Sequence, residues 1–180
     1  MPEFAKRSDI HDRVHNVQRV YRVTHPDYAD MDRTIEVGRG HPGRFNPMGT
    51  GALYVSLDPG TAIAELKRRA DRLRRPLASF APRALLTLDV VLRQVLDLTN
   101  ESVREAWDIT TGDLETESDY TKCHEIALIA RRDGYEAIRF PSATGNGVNL
   151  VIFYDRRHTG SYVELTGVEG LDLQAMSESA

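Results

Sequence analysis

The residues from Gly38 to Glu65 include the side chains of this chain that are best suited to chemistry. The stretch begins as a loop rich in glycine and proline, which contains Arg44 and Asn46. Glycine lets a backbone approach a ligand closely, and this density of glycine and proline prevents a competing helix. Tyr54 follows the loop, and Glu65 ends the stretch. An arginine, which binds anions through paired donors, would therefore meet an aromatic ring and a carboxylate in one pocket.

Three short elements would position these side chains. The glycine-rich loop leads into an apolar, strand-like run from Ala52 to Ser56, which carries Tyr54. A turn at residues 58–60 then opens a helix, limited by Pro76, in which apolar residues recur with helical spacing. Glu65 lies in the first turn of this helix. The spacing thus predicts that a loop, a strand and a helix surround the pocket.

The remaining elements predict an α+β fold. Short strand-like runs are interspersed with two or three helices, without the regular alternation of a parallel βαβ series. Helices are predicted from Asn100 or Ser102 to Trp107 and from Tyr120 to Arg132, with Gly134 in the C-terminal cap position. Residues 109–117 are polar and predict a loop. The further predicted strands are residues 17–23, 84–92, 94–98, 135–140, 148–154 and 161–165.

The composition is that of one soluble globular domain. The chain has 180 residues, of which 41% are hydrophobic and 28% are charged. We predict a flexible arm over residues 1–16, a single domain over residues 17–168 and a disordered tail over residues 169–180. The formal charge of −4 argues against nucleic acid or a membrane surface as a partner. Cys123 is the only cysteine, and no signal peptide or membrane span is evident, so we expect a reducing, cytoplasmic location.

Two familiar motifs are matched only in part. Residues 38–43 fit the dinucleotide fingerprint GxGxxG, but Pro42 and Pro47 prevent the helix that would hold a pyrophosphate. His124-Glu125 begins like the zinc motif HExxH, yet Leu128 stands where the second histidine is needed. The sequence therefore predicts neither a Rossmann site nor a metal site.

Each candidate side chain also has a purely structural interpretation. Glu65 can pair with Arg69 one helical turn later, on a wet surface. Arg22 can be an exposed residue of the first strand, and Tyr54 can belong to the core. Ser142 follows a proline and can simply begin a turn. Taken singly, none of these residues identifies a site.

A basic run on the predicted helix after the loop has two interpretations. It is either a solvated helix face or a docking surface for an acidic protein or a nucleotide phosphate. The sequence alone does not decide between them. The run consists of Lys67, Arg68, Arg69, Arg72, Arg74 and Arg75.

Taken together, these features resemble the RES domain family, which is named for a shared arginine, glutamate and serine. The similarity extends from about Val17 to Tyr154, and it depends on an ordered set of short motifs rather than on one specific motif. The motifs are Tyr21-Arg22-Val23, Gly43-Arg44-Phe45-Asn46, Ala52-Leu53-Tyr54-Val55-Ser56, Ala64-Glu65, Leu96-Asp97-Leu98-Thr99, Gly134-Tyr135-Glu136-Ala137-Ile138, Pro141-Ser142 and Asn149.

The resemblance implies a fold, a biological role and a reaction. It implies an ADP-ribosyltransferase-like core, in which short strands form two packed sheets with a few surrounding helices. RES proteins are typically the toxins of bacterial toxin–antitoxin pairs, with an Xre-like antitoxin as the partner. The activities of the family consume NAD+, by phosphorolysis or hydrolysis of the nicotinamide–ribose bond or by ADP-ribosylation of a protein.

The resemblance also implies roles for the site residues. Arg22 and Arg44 would grip the pyrophosphate through bidentate hydrogen bonds, and Tyr54 would hold the nicotinamide ring. Glu65 would stabilise positive charge that develops on the ribose, or would bind its hydroxyls. No metal is expected, because nicotinamide leaves readily. The expected catalytic residues are Arg22, Tyr54, Glu65 and Ser142, and the expected NAD+-binding residues are Arg22, Arg44, Asn46, Tyr54, Ser142 and Asn149.

The acceptor stays open at the level of sequence, because inorganic phosphate, water and a protein nucleophile all need the same activated ribose. The leading interpretation is a toxin that depletes NAD+ by phosphorolysis or hydrolysis. Two alternatives are an ADP-ribosyltransferase with a protein target and a non-enzymatic module that binds a nucleotide or a partner. The sequence identifies neither the antitoxin nor the oligomeric state.

Overall fold

A seven-stranded β-sheet organises the chain in a computed structural model, which describes residues 18–30, 41–145 and 147–178. The strands are β1 (Gln18–Thr24), β2 (Leu53–Ser56), β3 (Arg83–Val91), β4 (Val95–Asp97), β5 (Ala137–Pro141), β6 (Val148–Ile152) and β7 (Tyr162–Leu171). The α-helices of the described part are α1 (Pro59–Arg72), α2 (Glu101–Ala106), α3 (Thr111–Glu115), α4 (Thr121–Arg132) and α5 (Leu173–Glu178).

The strands follow the order β4-β5-β6-β2-β1-β3-β7 across the sheet. Only the pairing of β4 with β5 is parallel, and all the other neighbours are antiparallel. The predicted α+β class is therefore confirmed. The expectation of two packed sheets is corrected, because the described strands form one continuous hydrogen-bonded sheet.

Both faces of the sheet carry apolar cores. In β6, Leu150 and Ile152 belong to one buried cluster, whereas Val151 belongs to another. Successive side chains of a strand point to opposite faces, so this division shows that β6 is buried on both sides. Trp107 and Ile126, from the helical part of the chain, join the cluster that contains Val151. None of the helices in the described part is long and apolar enough to cross a bilayer.

Helix α1 begins where its sequence signals predict. Asp58 is the N-cap, and its side chain accepts a hydrogen bond from the backbone N–H of Thr61 at 2.8 Å. Pro59 occupies the first turn, where its missing N–H would have had no partner within the helix. Leu66 and Ala70 are buried on the inner face. Packing of this apolar face fixes the rotation of the helix, and thereby the direction in which its polar residues point.

One predicted loop and the predicted disordered tail both contain regular secondary structure. Residues 109–117 include α3, because Thr110 and Asp113 form a capping box that satisfies the first turn of a very short helix. The prediction of disorder from residue 169 onward is also wrong for the residues up to 178, which the structure describes. Strand β7 continues to Leu171 along β3, and α5 follows with Leu173 fully buried. The predicted arm over residues 1–16 lies outside the described residues.

Candidate active site

Five of the predicted site residues line one cavity of about 340 Å³, whose wall includes residues of β1, β2, β6 and α1. They come from separate parts of the chain, because β1 and β2 are neighbours in the sheet and β6 adjoins β2 on the other side. Asn46 and Ser142 lie behind this wall and hydrogen-bond to residues that line it. The five are Arg22, Arg44, Tyr54, Glu65 and Asn149.

Glu65 is the centre of a hydrogen-bond network at the cavity wall. Its Oε1 accepts one hydrogen bond from Ser142 Oγ and another from Asn149 Nδ2, each at 2.7 Å. Asn149 Oδ1 in turn accepts a hydrogen bond from Ser56 Oγ at 2.7 Å. Ser142, Asn149 and Ser56 are all buried. The carboxylate is therefore held by neutral donors, which orient it without cancelling its charge.

The surface ion pair considered for Glu65 does not form among the described residues. Glu65 is half-buried, and neither Arg69 nor another described cation lies within ion-pair distance of it. A carboxylate that is held by neutral donors, without an adjacent cation, does not have to break an ion pair before it contacts a ligand. This arrangement supports the functional interpretation of Glu65 over the structural one.

Ser142 begins a turn and also positions the carboxylate. Its backbone N–H donates to the carbonyl of Gly147 at 2.8 Å, and its Oγ accepts from the backbone N–H of Thr144 at 3.1 Å. A β-carbon at Gly147 would collide with Thr61 of α1, so glycine is needed for this close approach. The turn thereby packs against the first turn of α1, and Ser142 reaches Glu65. Ser142 thus begins a turn, as its structural interpretation predicts, and its hydroxyl also contacts a candidate site residue.

Arg22 presents a cation that no described carboxylate neutralises. Its Nη1 donates to the carbonyl oxygen of Tyr54 at 2.8 Å, whereas its buried Nε has no partner among the described residues. Burial lowers the pKa of Arg22 to about 10, so the guanidinium is still charged at neutral pH. A buried donor without a partner is costly, and it marks a place where a ligand is expected to bind.

Tyr54 fixes the glycine-rich loop. Its Oη accepts a hydrogen bond from the backbone N–H of Phe45 at 2.8 Å and donates one to Asn46 Oδ1 at 2.9 Å. A β-carbon at Gly43 would lie only 2.8 Å from this Oη, which explains the glycine. Burial raises the pKa of Tyr54, so the hydroxyl stays protonated at physiological pH. The ring faces the cavity while the hydroxyl holds the loop.

Asn46, predicted to bind the ligand, does not line the cavity. Its side chain is buried, and its Nδ2 donates to the carbonyl oxygens of Thr50 at 3.0 Å and His41 at 3.1 Å. Its Oδ1 accepts from Tyr54. The amide group is thus occupied within the loop, and Asn46 acts on the cavity through Tyr54.

Arg44 lies beside an aromatic residue that the sequence analysis missed. Its Nη2 donates to the carbonyl of Thr116 at 3.1 Å, and its guanidinium lies 5.7 Å from the centroid of the Tyr120 ring. Tyr120 also lines the cavity, at the N-terminal end of α4. The sequence predicted that α4 starts at about Tyr120, but it gave this residue no place at the cavity wall. Its position depends on a tertiary contact that local spacing does not encode.

The cavity is strongly cationic on the side of α1. Arg68, Arg69 and Arg72 line it, in addition to Arg22 and Arg44. Glu65 is the acidic residue among the lining residues. Within the described residues, no group of three His, Cys, Asp or Glu side chains is arranged to hold a metal ion. The site combines several guanidinium groups with one oriented carboxylate, which suits an anionic ligand containing an electron-poor sugar carbon.

Comparisons with known proteins agree with this geometry. A search of curated protein sequences finds no match. A chain in the crystal structure of the M. tuberculosis MbcT–MbcA toxin–antitoxin complex has a similar fold, with a TM-score of 0.81 and 23% sequence identity. The similarity covers 97% of this chain and 94% of that chain. The sequence profile of the RES domain matches residues 19–173, which include every predicted site residue. The chain belongs to the RES domain family.

Proposed function

We propose that this protein is a toxin-type enzyme that cleaves the nicotinamide–ribose bond of NAD+. The single observation that carries the proposal is the Glu65 carboxylate, held by Ser142 and Asn149 at the wall of an otherwise cationic cavity. Cleavage of an N-glycosidic bond develops positive charge on the ribose. A fixed carboxylate in a partly buried site stabilises that charge without reorganising during the reaction.

The cationic groups fit the rest of the substrate. Each phosphate of the NAD+ pyrophosphate carries a negative charge, and the Arg22 and Arg44 side chains each offer a guanidinium on the cavity wall. Their Nε atoms are buried and have no hydrogen-bond partner among the described residues, so the hydrogen-bonding capacity of both guanidinium groups is only partly used. The Tyr54 and Tyr120 rings supply flat surfaces for an aromatic base.

The reaction balances without an oxidant or a metal as a co-reactant. The bond between the ribose anomeric carbon and the nicotinamide nitrogen breaks, and its electron pair stays on nitrogen and neutralises the pyridinium. An oxygen of the acceptor then bonds to the anomeric carbon. With water as the acceptor a proton must leave the attacking oxygen, whereas a phosphate dianion attacks through an oxygen that carries no proton. Glu65 stabilises the ribose cation in either case.

The similar fold of a chain in a toxin–antitoxin complex supports the toxin role and an antitoxin as partner. An Xre-like antitoxin would suppress the activity until it is released or degraded. Depletion of a cytoplasmic coenzyme would then arrest the cell, so we propose that the enzyme acts in the cytoplasm.

Mass spectrometry of NAD+ incubated with the purified protein tests the proposal. We expect loss of NAD+ and release of nicotinamide, with ADP-ribose 1″-phosphate formed if phosphate is the acceptor and ADP-ribose if water is. The E65Q variant keeps the size of the side chain and should lower kcat by about 100-fold or more, the scale for losing one preorganised electrostatic group.

The matched control is E164Q, because Glu164 is exposed on β7 and outside the cavity. This variant should retain full turnover. Intact NAD+ with the wild-type protein, in the presence and absence of phosphate, would contradict the proposal. If the ADP-ribose part of NAD+ is found attached to an added protein, and not in small molecules, the enzyme is an ADP-ribosyltransferase.

A further inference from the structure

One face of α1 concentrates positive charge at the cavity. Arg68, Arg69 and Arg72 fall within little more than one helical turn, and all three line the cavity. The chain as a whole has a formal charge of −4, so this concentration is a local property of the site. Like charges at helical spacings of three and four residues destabilise a helix. The cluster is therefore unfavourable for the empty protein.

Only one of these three cations is neutralised. Arg68 Nη2 lies 2.5 Å from Glu117 Oε1, which joins α1 to the segment before α4. Arg69 and Arg72 are exposed at the rim, and neither has an ion-pair partner within the described residues. Burial and the nearby positive charge of Arg69 together lower the pKa of Arg83, so Arg69 adds to a cationic region of the surface. Among the residues that the structure describes, these two guanidinium groups are therefore available to an anion.

The pyrophosphate of the proposed substrate does not account for these two groups. The proposed function assigns Arg22 and Arg44, which both line the cavity, to its two phosphates. A phosphate monoester or free phosphate has up to about two negative charges at neutral pH, and paired guanidinium groups match it through several hydrogen bonds. The charge that remains at the rim therefore matches one additional phosphate group.

We propose that Arg69 and Arg72 form a second phosphate subsite, which binds a phosphate dianion in addition to the dinucleotide's pyrophosphate. The proposal rests on the proposed function, because it takes the dinucleotide as the ligand of Arg22 and Arg44. The dianion has two sources with the same chemistry. It is either free inorganic phosphate that acts as the acceptor, or a phosphate monoester on the adenosine ribose of the substrate.

If inorganic phosphate is the acceptor, its transfer to the ribose conserves atoms and charge. An unprotonated oxygen of hydrogen phosphate bonds to the anomeric carbon, and the bond from that carbon to the nicotinamide nitrogen breaks with both electrons on nitrogen. The phosphate keeps its proton, so the products are neutral nicotinamide and ADP-ribose 1″-phosphate. Two guanidinium groups at the rim would raise the local concentration of the dianion and orient it toward the ribose.

The R69A/R72A double variant tests the subsite against K67A/R74A, which removes the same total charge. Lys67 and Arg74 belong to the same basic run, but they are exposed and do not line the cavity. The first measurement is binding of inorganic phosphate to the full chain by 31P NMR line broadening, with chloride at matched ionic strength as the reference. We expect at least a 10-fold weaker phosphate affinity in R69A/R72A and little change in the control.

This binding readout does not need turnover, so it remains decisive even if the wild-type protein fails to consume NAD+. Equal phosphate binding by the wild-type protein and R69A/R72A, or an equal loss in both double variants, would overturn the proposal. The R69K/R72K variant keeps the charge but lacks the planar fork, and it should retain part of the affinity.

Steady-state kinetics then separate the two sources. A KM for inorganic phosphate that rises at least 10-fold, with an unchanged KM for NAD+, identifies the acceptor. A selective loss of kcat/KM for NADP+ relative to NAD+, in phosphate-free buffer, identifies the monoester. A rise in the KM for NAD+ alone would overturn the proposal, because it would assign Arg69 and Arg72 to the pyrophosphate.

Discussion

Ser142 donates a hydrogen bond from Oγ to Glu65 Oε1 at 2.7 Å, which connects the residue after β5 to the first half of α1. The contact joins residues 77 positions apart in the sequence. A serine hydroxyl in this position does not need to act as a nucleophile, since its hydrogen bond already orients the carboxylate. We therefore expect Ser142 to act as a positioning residue, whose removal affects the transition state more than substrate binding.

Replacing Ser142 with alanine should lower kcat for NAD+ consumption about 10-fold, because a hydrogen bond to a charged group contributes about 1.5–3 kcal/mol. The KM for NAD+ should change little, since the serine does not line the cavity. Initial-rate kinetics measure both parameters. The control S118A alters an exposed serine in the segment before α4 and should behave as wild type. A larger effect on KM than on kcat would show that Ser142 serves substrate binding.

Replacing Arg22 with methionine should abolish NAD+ binding while making the protein slightly more stable. Burial lowers the pKa of Arg22 to about 10, which means that the folded protein disfavours the charged form. An apolar side chain of similar length removes this penalty, and we expect a gain of about 1 kcal/mol in unfolding free energy despite the lost bond to Tyr54. Chemical denaturation and NAD+ titration measure the two effects.

The matched control for this change is R19M on the same strand. Arg19 is exposed, and its Nε lies 3.1 Å from Asp89 Oδ1. Such a surface pair contributes little to stability, so R19M should retain NAD+ binding and show no gain in stability. A clear loss of stability in R22M would show that Arg22 holds β1 and β2 together, and would argue against a strained ligand-binding cation.

Replacing Tyr54 with phenylalanine should raise the KM for NAD+ more than it lowers kcat. The hydroxyl joins Phe45 and Asn46 of the glycine-rich loop, at 2.8 Å and 2.9 Å, and this loop carries Arg44. Without the Tyr54 hydroxyl, the backbone N–H of Phe45 and the side-chain oxygen of Asn46 lose their partner, which costs about 1–3 kcal/mol. Thermal denaturation and kinetics measure the result. Unchanged kinetics with a lower Tm would restrict Tyr54 to a structural role.

The elements with clear periodicity were predictable from the sequence, and those defined by distant pairing were not. Strand β1 and helix α1 begin within two residues of their predicted starts, because alternation and an N-cap are local signals. Residues 169–171 belong to a strand only because β7 pairs with β3. No local pattern in the acidic, glycine-containing tail encodes that pairing.

The same distinction applies to the site. The resemblance to the RES family named Glu65, Ser142 and Asn149 as site residues, and the structure places all three in one hydrogen-bond network. It included Ser56 in a motif but gave this residue no role, because the bond from Ser56 to Asn149 follows from the register in which β2 pairs with β6. The arginines of α1 were visible in the sequence as a basic run. Which of them face the cavity depends on how the apolar side of α1, with Leu66 and Ala70, packs.

Glu136 should make the stability of the protein sensitive to acid. Burial alone would raise the pKa of this carboxyl, but hydrogen bonds from the backbone N–H groups of His158, Arg93 and Gln94 contribute to lowering it overall. A lowered pKa in the folded state contributes stability above the unfolded pKa of about 4.3, and that contribution is lost as the pH falls through the folded pKa.

The E136Q variant should therefore lower the unfolding free energy by about 3 kcal/mol at pH 7, because an amide nitrogen would face backbone donors. It should also reduce the dependence of the unfolding free energy on acid. Urea denaturation from pH 7 to pH 3, with exposed Glu164→Gln as the control, measures both effects. An E136Q protein that keeps the wild-type acid dependence would show that other carboxylates control acid unfolding.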